Sequence, residues 1–208
     1  MSDVFQSSWR RAWHGLGAAG DGHAVKGAVL SRYAEPHRAY HTLQHLEECL
    51  QFFTPLQLLP EHPAEVEMAL WFHDAIYELR SSSNEADSAA WAYEALVAAG
   101  TSPVAAARVR DLVLATKHTG QPSTVDECVL VDIDLSILGA TQNRFAEYEQ
   151  QIREEYAFVP DVLFKPKRRE ILASFLARPA IYNTPHTYQQ LEQRARVNLM
   201  RAIGKTIY

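Results

Sequence analysis

The sequence predicts an all-α protein, a helical bundle of roughly nine or ten helices. Apolar residues recur at intervals of three and four along most of the chain, which is the period of the α-helix. Residues that begin helices (Ser, Thr, Asn) and residues that end them (Gly, Pro) separate these stretches. Segment 129–135 has the β-branched residues and alternation of a strand, but the capping box before it and the helices around it favour a helix.

Six helices are predicted in the first part of the chain. Glu35–Pro36 ends the second of them because proline pushes its predecessor out of the α region, and Gly100 ends the fifth, which Asn84 begins. The fourth helix is apolar on nearly every side, which indicates a central position. The predicted spans are 4–16, 22–33, about 42–53, 64–79, 84–99 and 103–118.

Four more helices are predicted in the remainder. The capping box Thr124–Glu127 begins the first, which ends near Gly139, and the others span about 142–158, 161–177 and 187–204. The chain has no internal repeat and no low-complexity linker. We therefore expect one domain over residues 1–208, in which helices 142–204 pack on a core of about 36–140 that carries the candidate site.

Charge and composition argue against several classes of function. The net charge of -5 and the pI near 6.0 argue against binding to nucleic-acid polymers or anionic membranes, which requires a basic surface. The sequence contains no run of about 18 apolar residues, so we expect no segment to span a membrane. Because the N-terminus lacks the apolar core of a secretion signal and Cys49 and Cys128 form no CxxC pair, we expect a cytoplasmic protein without disulfides. The sequence leaves a homo-oligomer open.

His73 and Asp74 stand side by side inside the predicted central helix. Alone, this doublet suits a core histidine that is hydrogen-bonded to its neighbour, but a buried carboxylate needs compensation, and a cation can supply it. Further candidate ligands lie on two other predicted helices: His45, and Asp132 in the Asp132–Ile133–Asp134 segment. Asp132 and Asp134 point about 200° apart on a helix, so we expect only one of them to reach an ion.

The order of these residues resembles the HD superfamily of metal-dependent phosphohydrolases, and the local sequences resemble a bacterial branch described as predicted metal-dependent HD phosphohydrolases. The resemblance covers most of residues 5–203. The segments that carry it are Tyr40–His45, Trp71–Tyr77, Asn84–Glu85, Ala115–His118, Asp132–Gly139, Ile152–Tyr156 and Arg169–Leu176.

This resemblance implies a metal centre held by His45, His73, Asp74 and Asp132. Asp132 is preferred to Asp134 because family members tend to use the first acidic residue of this segment. Two nitrogens and two oxygens leave positions for water and a phosphate oxygen, and they suit Mn²⁺, Fe²⁺, Co²⁺, Ni²⁺ or Mg²⁺ better than structural zinc. The implied reaction is hydrolysis of a phosphate ester of a small molecule, such as a nucleotide, by a metal-activated water that Asp74 helps to deprotonate.

Further residues are candidates for catalysis or for binding the substrate. Glu85 would orient a ligand or the attacking water, and His118 would bind a phosphate or a second metal, although the helix dipole alone also explains both residues. The candidate substrate ligands are Arg38, Tyr40, His41, Lys117, Arg153 and Arg169. Two alternatives stay open: a di-iron oxygenase, in which His41 and His118 coordinate, and a non-catalytic nucleotide-binding protein.

Overall fold

The computed structural model describes residues 3–118 and 120–204, and within these ranges it contains ten α-helices, two short 3₁₀ helices and no strand. The prediction of an all-α fold with nine or ten helices is therefore confirmed. None of the helices in these ranges is long and apolar enough to cross a bilayer. The chain forms two compact units, Met1–Asp134 and Leu135–Tyr208. The single domain expected from the sequence stays a prediction.

The first unit is built around one buried helix. The helices of this unit are α1 (Asp3–Gly15), α2 (His23–Tyr33), α3 (Leu43–Phe53), α4 (Pro63–Phe72), α5 (Asn84–Ala98), α6 (Pro103–Ala115) and α7 (Val125–Asp134). A short 3₁₀ turn at Thr54–Leu56 follows α3. The buried helix, α4, packs against five others, α1, α3, α5, α6 and α7, and eight of its ten residues are buried. The prediction of a central helix is therefore confirmed.

Side-chain caps begin the helices that bear on the candidate site. The Thr42 hydroxyl accepts a hydrogen bond from the Gln44 amide at the start of α3. The predicted capping box before α7 is present, since the Glu127 amide donates to the Thr124 hydroxyl at 3.1 Å and the Glu127 carboxylate accepts from the Thr124 amide at 3.3 Å. These caps fix the first turns of two of the helices that carry candidate ligands.

Three tryptophans hold α1 against α4. Trp9 stacks on Trp13 with ring centroids 5.1 Å apart, and its ring meets Trp71 of α4 edge to face at 5.0 Å. The Trp71 indole N–H donates to the buried Ser8 hydroxyl at 3.0 Å. The last turn of α4, directly before His73, is therefore fixed by both packing and a hydrogen bond.

The central helix ends at Phe72 and does not continue to residue 79, which corrects the prediction that His73 and Asp74 lie inside it. The His73 ring Nδ1 donates to the Leu70 carbonyl at 2.8 Å. The Asp74 amide, which would bond that carbonyl in a continuing helix, donates instead to the Tyr33 hydroxyl at 3.3 Å. Contacts from the His73 ring and from α2 thus replace the next helical hydrogen bond, and the chain turns.

The second unit contains a 3₁₀ turn, Leu135–Gly139, and three helices, α8 (Gln142–Glu155), α9 (Asp161–Leu176) and α10 (Pro185–Ala202). The 3₁₀ turn stands where the sequence predicted the end of a longer helix. It packs against α8 and α10, and the Asn198 side-chain amide donates to the Leu138 carbonyl at 2.9 Å. A Cβ at Gly139 would lie 2.6 Å from that of Leu191, so this close approach to α10 requires glycine.

Candidate metal centre

Four side chains from three mutually packed helices of the first unit converge on one point. His45 comes from α3, His73 and Asp74 follow the end of α4, and Asp134 is the last residue of α7. Each offers one ligand atom, and these atoms all lie within 4.8 Å of one another. Both histidines are buried, whereas the side chains of Asp74 and Asp134 keep 18% and 14% of their exposure. The centre is therefore accessible on the side of its carboxylates.

The distances inside this group suit a single cation. His45 Nε2 lies 3.0 Å from His73 Nε2, and Asp74 Oδ2 lies 3.4 Å and 3.1 Å from these two nitrogens. Asp134 Oδ1 lies 3.5 Å from each nitrogen. Ligand bonds of about 2.0–2.2 Å separate neighbouring donor atoms by about 2.8–3.6 Å, depending on whether the geometry is octahedral or tetrahedral. The measured separations fall within that interval.

The orientation of His73 also suits a metal ligand. Its Nδ1 donates a proton to the Leu70 carbonyl, so Nε2 is the nitrogen that faces the other three ligand atoms, and in the neutral ring it carries the lone pair. A hydrogen bond from the second ring nitrogen to a backbone carbonyl is the usual way in which proteins fix the tautomer of a metal-binding histidine. His73 is therefore held ready to coordinate.

The charges of the group require compensation. Burial works against the imidazolium forms of His45 and His73, yet the pKa of each ring is raised well above 6.5. Coulombic interactions raise it, with Cys49 and Tyr40 for His45 and with Asp74 and Tyr33 for His73, and hydrogen bonds to Asp134 and Asp74 add to both shifts. Burial would likewise raise the pKa of both carboxyls, yet His73 holds the pKa of Asp74, and His118 that of Asp134, well below 3.8.

Two protonated rings are a poor solution to this charge imbalance. His45 Nε2 and His73 Nε2 lie 3.0 Å apart, and two N–H groups cannot both occupy the space between them. Two neutral rings that face each other with lone pairs, together with two carboxylates, form a set of four electron-pair donors. One divalent cation would neutralise both carboxylates and satisfy both lone pairs, so the residues present fit such an ion.

Asp134, and not Asp132, joins the group, which corrects the preference for Asp132. The two carboxylates project from nearly opposite sides of α7, and the side of Asp134 faces α3 and the end of α4. Asp132 is completely buried and belongs to neither group of potential ligands found among the described residues. Of this pair only Asp134 contributes an atom to a group of potential ligands, whereas the resemblance to the family led us to prefer Asp132.

Arg38 lies beside the centre, but its guanidinium is fully engaged in hydrogen bonds within the protein. Its side chain is fully buried, and Nε and Nη2 donate to the Glu35 carboxylate at 3.2 and 3.1 Å. Nη1 donates to the His41 and Asp74 carbonyls at 3.2 and 2.6 Å, and Nη2 donates also to the Ala75 carbonyl at 3.1 Å. All five guanidinium donors are thus in use. This arrangement corrects the expectation that Arg38 binds the substrate and makes it a residue that positions Asp74.

Aromatic rings border the two histidines. The Tyr40 ring is buried with its centroid 4.8 Å from that of His45, and His41 stacks on Tyr77 at 4.0 Å. Since α3 begins at Leu43, His41 precedes the helix and does not share a helical face with His45; their ring centroids lie 5.9 Å apart. Tyr40 and His41 are therefore close to the centre, and their contact with a substrate stays a prediction.

His118 contacts the centre through Asp134. Its Nε2 lies 2.8 Å from Asp134 Oδ2, while Asp134 Oδ1 faces the two other histidines. The backbone of His118 has a positive φ of 54°, a conformation that is uncommon for any residue other than glycine. Such strain is often retained at functional positions. The structure thus brings His118 to the second oxygen of a candidate ligand.

The remaining candidates lie outside the ligand group. Glu85 is half-buried in the first turn of α5, and Lys117 is exposed in the turn after α6. In the second unit, Arg153 binds Asp161 and the Tyr156 and Val159 carbonyls, while Arg169 is exposed on α9. The roles assigned to these residues stay predictions, although the contacts of Arg153 are those of a residue that closes the end of α8.

Sequence reasoning did not select two neighbours of the centre. Tyr33 supplies the hydroxyl that binds the Asp74 amide, and the Cys49 thiol lies 3.8 Å from both ring nitrogens of His45. The i, i+4 spacing of His45 and Cys49 could have indicated the second of these contacts.

No family model matches the chain, and neither a curated protein nor a solved structure matches it.

Proposed function

We propose that the protein is a metal-dependent phosphohydrolase of the HD type, which hydrolyses a phosphate ester of a small molecule such as a nucleotide. The observation that carries this proposal is the convergence of His45, His73, Asp74 and Asp134 with their ligand atoms within 4.8 Å of one another. The resemblance to the HD superfamily implies the same donor set, except that Asp134 takes the place of Asp132.

The four residues would hold one divalent ion of the Mn²⁺, Fe²⁺, Co²⁺, Ni²⁺ or Mg²⁺ kind. When bound, such an ion supplies a water of lowered pKa and draws charge from phosphoryl oxygens. The side chains of Asp74 and Asp134 keep 18% and 14% of their exposure, so a water and a substrate oxygen would approach the ion from their side.

The protein's own groups would orient the reaction and handle its protons. Asp74 is held in place through its backbone, since its carbonyl accepts from Arg38 and its amide donates to Tyr33. Its carboxylate lies at the accessible side, where it can take a proton from the attacking water. His118 holds Asp134 from the far side at Oδ2, and a proton on His118 Nε2 is placed to stabilise that carboxylate.

The net charge favours a small substrate over a polymer, and one bordering ring is placed to contact it. Tyr40 and Tyr77 are buried, whereas His41, which stacks on Tyr77, is half-buried and can contact a base or another planar group. The net charge of -5 disfavours polyanionic ligands.

The di-iron oxygenase requires His41 and His118 as further ligands, and neither belongs to the ligand groups found in the described residues. We therefore keep the phosphohydrolase as our proposal.

The test combines metal content with turnover. Protein purified without chelators or a polyhistidine tag is analysed for metals and then assayed with Mn²⁺ against a panel of small phosphate esters that includes nucleoside monophosphates. We expect about one divalent ion per chain. Asp74→Asn should lose both the ion and hydrolysis, whereas Asp111→Asn, at an exposed site on α6, should retain both.

Four results would count against this function. A chain that takes up no divalent ion could not carry out metal-assisted hydrolysis. Undiminished hydrolysis by Asp74→Asn would refute the role assigned to Asp74. Tight binding of one ion and of a nucleotide without turnover would instead favour the non-catalytic binding protein, and two irons per chain would favour the oxygenase.

A further inference from the structure

Cys49 forms a second group of potential ligands with the two histidines of the centre. It lies one turn after His45 on α3, and its Sγ is 3.8 Å from both Nδ1 and Nε2 of that ring. One ligand atom from each of His45, Cys49 and His73 lies within 4.8 Å of the others, and all three residues are at least 98% buried. The group is therefore dry, and it shares both imidazoles with the centre.

The two groups differ in the chemistry of their other atoms. Asp74 and Asp134 offer carboxylate oxygens, which prefer hard cations, whereas Cys49 offers sulfur, which prefers soft ones. Cys49 belongs only to the group of three, and the two carboxylates belong only to the group of four. The same pair of imidazoles thus faces a hard set of partners and a soft one.

The distances in the group of three suit a tetrahedral ion. Bonds of about 2.3 Å to sulfur and about 2.0–2.1 Å to nitrogen place the sulfur and nitrogen ligands of one ion about 3.6 Å apart. The measured separation of Cys49 Sγ and His45 Nε2 is 3.8 Å, and that of the two imidazole nitrogens is 3.0 Å. The Nε2 lone pair points outward in the plane of the ring, and a sulfur that is equidistant from both ring nitrogens lies off that axis, so the Cys49 side chain would have to turn toward Nε2 for all three atoms to bind one ion.

A structural explanation for Cys49 must be weighed against this one. Free cysteines are often buried as small apolar side chains, and packing alone would account for the burial of Cys49. What favours a ligand role is the position of the sulfur 3.8 Å from a histidine ring that also meets a second histidine. Cys128 provides the contrast, since it is half-buried on α7 and belongs to no ligand group.

We propose that His45, Cys49 and His73 form a second, thiophilic ligand set, through which the centre binds a soft or borderline divalent cation such as Cd²⁺ or Zn²⁺. On binding, the Sγ–H bond breaks, an Sγ–metal bond forms and the proton leaves to solvent; no oxidation state changes. This inference rests on the cation centre proposed above but not on phosphate hydrolysis. Because the imidazoles are shared, a soft ion bound in this way competes with the hard ion.

The test is a titration with Cd²⁺, which is followed by the ultraviolet charge-transfer band of a cadmium–thiolate bond. Wild type, Cys49→Ser and Cys128→Ser are compared, with Mn²⁺ affinity measured in parallel. We expect the band in wild type and in Cys128→Ser, where Cys49 is the only thiol. In Cys49→Ser the band should be absent and Cd²⁺ affinity should fall by about tenfold or more, since even outer partners of metal ligands are worth about 10–100-fold.

The outcomes separate this proposal from the proposed function. Mn²⁺ binding with no cadmium–thiolate band in wild type would overturn the thiophilic set and leave the centre intact. A band that persists in Cys49→Ser and disappears in Cys128→Ser would overturn it also. If Cys49→Ser fails to fold, the spectrum of Cys128→Ser still decides, because a band there can come only from Cys49. A chain that binds neither ion would overturn both proposals.

Discussion

Replacement of Arg38 with lysine tests whether Arg38 supports the centre or binds the substrate. The guanidinium makes five hydrogen bonds, two to Glu35 and one each to the carbonyls of His41, Asp74 and Ala75. Lysine keeps the charge but has three donors on one atom. Since both bonds to Glu35 end on Oε2, the five bonds reach four acceptor atoms, and at least one of these loses its partner, in a place from which water is largely excluded.

The expected cost follows from that count. A buried acceptor without a partner costs about 1–3 kcal/mol, so we expect Arg38→Lys to lower the free energy of unfolding by about 2 kcal/mol. Arg32→Lys is the matched control, because Arg32 binds the other oxygen of the same Glu35 at 2.9 Å but is about half exposed. That exposed pair should be worth no more than about 1 kcal/mol.

Urea denaturation of the two variants gives the measurement, and Mn²⁺ affinity gives a second one. Because Arg38 binds the Asp74 carbonyl, Arg38→Lys should weaken Mn²⁺ binding, whereas Arg32→Lys should not. Equal stabilities for the two variants would refute the reasoning. An Arg38→Lys variant with normal stability and normal metal affinity but a raised KM would restore the original prediction that Arg38 binds the substrate.

Three further predictions follow from the geometry. Asp134→Asn should abolish Mn²⁺ binding in equilibrium dialysis while Asp132→Asn leaves it within about tenfold, and the reverse order would restore Asp132 as the ligand. Saturating Mn²⁺ at about 100 times its dissociation constant should stabilise the fold by about 2.7 kcal/mol, which raises the Tm of a chain of this size by roughly 5–10 °C and is reversed by chelation; a Tm that is insensitive to Mn²⁺ would argue against a preformed site. Partial burial raises the pKa of Glu35, but hydrogen bonds from the two arginines outweigh it and hold the pKa below 4.5. The stability advantage of wild type over Glu35→Gln should therefore be full above pH 4.5 and disappear as the pH falls through the lowered pKa; an advantage that does not change with pH would contradict this assignment.

Most of the helices could be predicted because they depend on local patterns. The capping box at Thr124 and Glu127 is recognisable from two residue types at a fixed spacing, and the structure contains it as expected. The end of α4 could not be predicted in this way. It depends on the Tyr33 hydroxyl, which lies forty-one residues away along the chain and takes the amide that would have continued the helix.

The candidate site was predictable in its residue types and less so in its geometry. Spacing indicated that Asp132 and Asp134 point in different directions, but the rotation of α7 about its axis depends on how it packs against α3, α4 and α6. Arg38 was misjudged for a similar reason. A cationic residue near ligand positions has the right charge for phosphate, and only the structure reveals that each of its donors already has an acceptor.

The early end of α4 also has an electrostatic consequence. A helix carries a partial negative charge at its C-terminus, where the last carbonyls lack partners within the helix. Because α4 ends at Phe72, this negative end lies directly beside His73 and Asp74, whereas a helix that continued to residue 79 would carry it two turns further along the chain. The field of the most buried helix therefore adds to the attraction of the centre for a cation, through the backbone and independently of any side chain.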